Sequence, residues 1–136
     1  MLNLEIVAPE GVEIVWALLT PKIGNINTRR VKRIAVGSVY VSPNSQFKSA
    51  TIDHITETIH CLRSRYDNEV NFLIGGDFNR LNISSILDAY GALKQSVSVP
   101  TRNGAILEIV LSDIATTQPT TQNNLKQLLL GWYYNR

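Results

Sequence analysis

The sequence predicts an α/β fold, and three observations carry that expectation. Short runs rich in Val, Ile and Leu suit buried strands, and one longer stretch repeats its apolar residues every three to four positions as a helix does. Clusters of Pro, Gly, Asn and Asp separate the two kinds of pattern, so strands and helices alternate along the chain. The 136 residues suit one small domain, and 44% apolar content is enough to give it a moderate core.

Positions 2–19, interrupted by Pro9-Glu10-Gly11, read as a hairpin-like pair of strands, and 21–27 as a loop. Positions 31–41 carry Ile34, Val36, Val39 and Val41 at close intervals, the pattern of a strand buried on both faces. That strand stops at the turn signal Ser42-Pro43-Asn44-Ser45. From Ser49 onward, Ile52, Ile55, Ile59 and Leu62 trace one face of an amphipathic helix, with Ser49 or Thr51 as its cap. His54 and His60 lie on this helix six positions apart and point in different directions, so surface or boundary roles are expected for both.

After Tyr66-Asp67-Asn68, the apolar run 70–74 reads as a central strand leading into Gly75-Gly76. Positions 83–90 suit a short helix, and 96–99 and 105–111 suit strands separated by Pro100-Thr101-Arg102-Asn103-Gly104. The expected domain covers 1–114, followed by a polar linker and divergent tail over 115–136.

Charge and cysteine usage restrict the function classes. A net charge of +2 permits nucleic-acid contact but does not argue for it without a clustered patch. The visible cluster, Arg29, Arg30, Lys32 and Arg33, reads either as a solvated turn or as a rim that contacts phosphate. The single Cys61 has no partner for an internal disulfide, and no Cys/His spacing suits structural zinc. With no signal-peptide pattern and no apolar run long enough to span a bilayer, a soluble intracellular protein without a membrane partner is expected.

The chemistry concentrates in Gly75-Gly76-Asp77-Phe78-Asn79, which directly follows the central strand. In extended backbone Asp77 and Asn79 share one face while Phe78 faces the core, and the glycines let other backbone or a substrate approach. A carboxylate here can orient a water or help to hold Mg²⁺, and an amide two residues on can stabilise a developing oxyanion. The alternative, open at this point, is an Asx turn closing the strand.

Gly76-Asp77-Phe78-Asn79 occurs with Val39-Tyr40-Val41-Ser42-Pro43-Asn44 upstream, and with Pro100-Thr101-Arg102 and Ile106-Leu107-Glu108-Ile109-Val110-Leu111 downstream. In this order and spacing, over positions 13–113, the blocks resemble the endonuclease/exonuclease/phosphatase superfamily, more narrowly the endonuclease domain of jockey-like non-LTR retrotransposons. The resemblance implies a partial two-sheet α/β sandwich of the DNase I-like type. It also implies Mg²⁺ or Mn²⁺ as cofactor, DNA as partner, a reverse transcriptase domain in a full-length polyprotein, and access to the nucleus.

The resemblance implies that Asp77 orients or deprotonates the attacking water, with a metal contact also within its reach. Asn79 binds the scissile phosphate, and Tyr40 offers its hydroxyl to a non-bridging oxygen. Asn44, Arg80 and Arg102 are substrate-contact candidates, and Gln95 belongs to the same block. Glu108 stands where the family usually has aspartate, and its extra methylene displaces the carboxylate by about one bond length in a site that needs close positioning. An upstream metal-binding glutamate block and a late Ser-Asp-His find no match, and Ser112-Asp113-Ile114 lacks the histidine. Glu5, Glu10 and Glu13 receive no metal role. The expected reading is a fragment of a metal-dependent DNA endonuclease, weak or inactive alone. Its alternative is a catalytically dead module that binds nucleic acid or protein.

Overall fold

The computed structural model describes residues 6–20, 32–96, 100 and 103–114. Its elements are β1 (Glu13–Leu19), β2 (Arg33–Tyr40), α1 (Lys48–Arg65), β3 (Val70–Asp77), α2 (Ser84–Ala89), β4 (Lys94–Gln95) and β5 (Glu108–Ser112). They form an α/β structure around one mixed sheet of order β1-β2-β3-β5-β4, which puts β3 at its centre. Among the described strands only β2 and β3 run parallel, and α1 is the crossover such a pair requires.

Both helices pack into one core with the same face of the sheet. Ile55, Ile59 and Leu62 of α1 and Ile86 of α2 join Ile14, Ala35, Val39, Phe72, Ile74, Phe78 and Leu111 in a single buried cluster. Burying each of the large α1 side chains contributes roughly 1.5–3 kcal/mol, which is what holds an otherwise polar helix on the sheet. None of the described helices is long and apolar enough to cross a membrane.

The opposite face is exposed along the edge strand β1 and partly covered over the inner strands. Val15 and Leu19 are exposed there at 73% and 53%, Ile34, Val36 and Leu73 are half-buried, and Val110 is buried. This corrects the expectation that 31–41 is buried on both faces. Strand β2 alternates, with Ala35, Gly37 and Val39 buried and Ser38 and Tyr40 exposed, because the described helices cover one side only.

Four further expectations change. Of the expected hairpin, positions 2–5 lie outside the described residues, 6–8 are not strand, and only the second arm forms one: Pro9 accepts from the Val12 amide in a turn, and Gly11 takes φ +82°. Strand β1 pairs with β2 instead. Neither Ser49 nor Thr51 caps α1, whose N-cap position is Phe47. Thr51 is buried and donates to the Phe47 carbonyl at 2.8 Å, and Ser45 Oγ accepts the Phe47 amide at 3.0 Å. His60 is exposed, but His54 is buried, because its Nε2 accepts the Trp16 indole N–H at 3.0 Å and ties β1 to α1. The late strands are β4 and β5, while 97–99, 101–102 and the tail 115–136 lie outside the described residues.

Candidate active site

Strand β3 delivers the Gly-Gly-Asp segment to one end of the sheet through a close backbone approach. Gly76 takes φ +147°, and a Cβ at this position would stand 1.9 Å from the Val39 carbonyl oxygen. Of the two roles open to this glycine, admitting neighbouring backbone is the one it fills. Gly75 is different, since a Cβ there meets Ile109 O and a Val110 methyl at 3.5 and 3.6 Å, ordinary contact distances.

The strand register then brings distant residues into one row. Tyr40 of β2 pairs with Asp77 of β3, and Asp77 pairs with Glu108 of β5. Register partners put their side chains on the same face, with neighbouring strands roughly 5 Å apart. Tyr40, Asp77 and Glu108 therefore stand side by side at the end of three adjacent strands, on the face opposite the described helices. Glu13 of β1 pairs with Tyr40 and extends the row by a second glutamate. Nothing in the sequence marks Glu13 for this place, because cross-strand register is not a local property.

Past Asp77 the chain leaves the sheet. Phe78 is fully buried and donates its amide to Leu107 O at 2.8 Å, anchoring the turn that follows. Asn79 and Arg80 both take left-handed backbone, φ +40° and +64°, and the Leu81 amide closes the turn on Phe78 O at 2.8 Å. Asn79 is thus not a strand residue sharing a face with Asp77, as extended backbone would have had it. Its amide N–H donates to Asp77 Oδ1 at 3.1 Å, an Asx turn, and its side-chain Nδ2 donates to Val41 O at 2.7 Å. The Asn79 side chain clamps the chain leaving β2 against the end of β3, beside the backbone bond from the Val41 amide to Asp77 O at 2.8 Å.

Asn44 lies with Glu13 and Tyr40 on an open cleft of about 380 Å³ that Val41 and Phe47 also line. This cleft adjoins the row on the β1 side. Arg80 is exposed in the turn after Asp77, and Gln95 lies on β4, separated from β3 by β5. Arg102 lies outside the described residues. Among the described residues no group of three or more His, Cys, Asp or Glu side chains could hold a metal ion.

Asp113 belongs to a different part of the fold. Its Oδ1 accepts the amide of Phe72 and its Oδ2 accepts the hydroxyl of Tyr90, both at 2.7 Å. Phe72 is five residues before Asp77 on β3, so this clasp sits roughly 17 Å along the strand from the row. Burial and the Asp113 hydrogen bond push the Tyr90 phenol up to about 12, with Arg63 opposing. Burial lowers the His54 imidazole from its ordinary value, against an opposing effect of Glu57, and a neutral ring is what the Trp16 bond requires.

No family model, curated protein or solved structure matches the chain.

Proposed function

We propose that this chain corresponds to the middle and later part of an endonuclease/exonuclease/phosphatase domain, derived from a metal-dependent DNA endonuclease of a non-LTR retrotransposon. The observation that carries the reading is the row itself. Tyr40, Asp77 and Glu108 come from three separate sequence blocks, each singled out by the resemblance, and they are register partners on adjacent strands. An aromatic hydroxyl, a water-orienting carboxylate and a second carboxylate on one sheet end form the kind of set that phosphodiester hydrolysis uses. The exposed Val15 and Leu19 on β1 support a partial DNase I-like sandwich, because a second sheet would cover them.

Mg²⁺ or Mn²⁺ fits this set only in part. Asp77 and Glu108 supply two carboxylates, and one Asp77 oxygen already accepts the Asn79 amide. Such a pair suits Mg²⁺ when substrate phosphates and waters complete its shell, since this ion is commonly held by one or two carboxylates. A bound ion would polarise the phosphate. The chain's own residues would hold the phosphodiester near the Tyr40 hydroxyl and orient water from Asp77. Turnover by this polypeptide alone is expected to be slight, because groups of such a site act as a unit and their loss removes several powers of ten in rate.

One observation favours a second reading, a catalytically dead binding module. The Asn79 side-chain nitrogen is committed to Val41 O, and Asp77 Oδ1 to the turn, so both motif residues already serve the fold. In either reading DNA is the proposed partner, with a reverse transcriptase domain in the parent polyprotein and a nuclear site of action. Amide NMR during titration with a short DNA duplex and Mg²⁺ tests contact at the row. Shifts at residues 40–44, 77–80 and 108 are expected, and their absence while other surfaces respond would overturn both readings of the site.

A further inference from the structure

The end of the sheet opposite the row gathers arginines onto tyrosine rings. Arg33 opens β2, and α1 runs back from the row end to close with Arg63 and Arg65. The Arg33 guanidinium carbon stands 4.4 Å from the centre of the Tyr66 ring, and that of Arg65 stands 5.9 Å from the same ring. Arg63 lies 4.2 Å from the centre of the Tyr90 ring, whose hydroxyl is held by Asp113. Lys32 is exposed beside Arg33.

Tyr66 shows what this arrangement is for. Its hydroxyl is enclosed and has no hydrogen-bond partner, so no polar contact accounts for a tyrosine here. What the residue supplies is a ring face shared by two cations. A guanidinium seated on a ring keeps its planar fork of N–H donors directed outward, in a geometry that matches phosphate oxygens bidentately. The faces covered by the guanidiniums are taken up by cation–π contact and not by a nucleobase.

Charge is divided along the strands. Lys32, Arg33, Arg63 and Arg65 stand against Asp67, Glu69 and Asp113 at this pole, while Glu13, Asp77 and Glu108 share the far end with Arg80. The pole keeps a small excess of cations, and the row end a small excess of carboxylates, so a polyanion is favoured at the pole. A duplex carries one charge per roughly 1.7 Å of its axis, so forks fixed close together can each find a phosphate.

We propose that the pole formed by Arg33, Tyr66 and Arg65, with Arg63 beside it, is a nucleic-acid contact that grips the phosphate backbone without reading sequence. It lies roughly 23 Å along β2 from Tyr40, and it stands independently of any chemistry at the row. Both sources of such a backbone, duplex and single strand, share the phosphates it recognises.

Fluorescence anisotropy of the full chain with labelled mixed-sequence duplex and single-stranded DNA, in metal-free buffer at about 50 to 200 mM salt, tests this proposal. Binding should weaken with salt at a log–log slope of about −2 to −3, alike for unrelated sequences. The double variant Arg33→Gln/Arg65→Gln should lose affinity on the order of tenfold or more near 100 mM salt and flatten the slope by about 2. Arg65 is exposed, so Arg65→Glu decides the matter if the double variant fails to fold. Wild-type affinity in a folded Arg65→Glu variant, salt-independent binding, or binding to heparin but to neither DNA form would each overturn the proposal. Cleavage is not read in this assay, so the pole and the proposed function can fail separately.

Discussion

Replacing Gly76 with alanine puts a methyl group into the backbone of β2. The added Cβ would stand 1.9 Å from Val39 O and 2.8 Å from Val39 C, and neither atom can rotate away as a side chain would. An L-residue at φ +147° also costs about 1–3 kcal/mol in backbone strain. Relieving the overlap means separating β2 from β3 at this register pair, which sacrifices one or two ladder hydrogen bonds at about 0.5–1.5 kcal/mol each. Together these give a loss of about 1.5–6 kcal/mol, a large share of the 5–15 kcal/mol typical of a small domain. Gly75→Ala is the internal control. Its Cβ meets only ordinary contacts, so a change within about 1 kcal/mol of wild type is expected, and a small gain is within reach. Urea unfolding followed by far-ultraviolet circular dichroism gives both values. A Gly76→Ala variant as stable as wild type, or equal effects at the two glycines, would refute the close-approach argument.

Three other outcomes follow from the same geometry. Asp113→Ala leaves the Phe72 amide and the Tyr90 hydroxyl without their acceptor and should cost about 2–5 kcal/mol in urea unfolding; it should also return the Tyr90 phenol toward its ordinary value, read by ultraviolet titration. Asn79→Ala removes the clamp on Val41 O and places alanine at φ +40°, for a loss of about 1–3 kcal/mol, whereas Asn79→Gly should recover the backbone part of that loss. Because His54 has a lowered value in the folded chain, the unfolded chain takes up its proton first; the stability tied to neutral His54 is complete above its ordinary 6.5 and is lost as pH falls through 6.5 toward the folded value. The urea midpoint should therefore drop from about pH 7.5 to about pH 5.5 by more in wild type than in His54→Gln.

Local periodicity carried the helix and the central strand. The Ile52, Ile55, Ile59, Leu62 spacing marks the face of α1 that is buried, and the apolar run before Gly75 marks β3. Burial on one face of β2 was not legible, because Ile34 and Val36 are as apolar as the covered residues and keep that character on the face opposite the described helices. The Asx turn at Asn79 was one of two readings, and only the positive φ at two successive residues decides between it and a continued strand. His54 looked like a boundary residue because its partner, Trp16, is 38 positions away. The motif blocks located Tyr40, Asp77 and Glu108 one by one. That they form a row, that Glu13 joins it, and that Arg33 and Arg65 meet on Tyr66 depend on strand pairing and on the return path of α1, which no local pattern encodes.

The central claim is that the strand-end row is a phosphodiester site retained in part, and plasmid nicking in Mg²⁺ by wild type and by Asp77→Ala tests it most directly. Little or no nicking by wild type is predicted, with any activity above buffer lost in Asp77→Ala. Robust nicking that Asp77→Ala abolishes would contradict the incompleteness of the site, and nicking that survives Asp77→Ala would contradict its location.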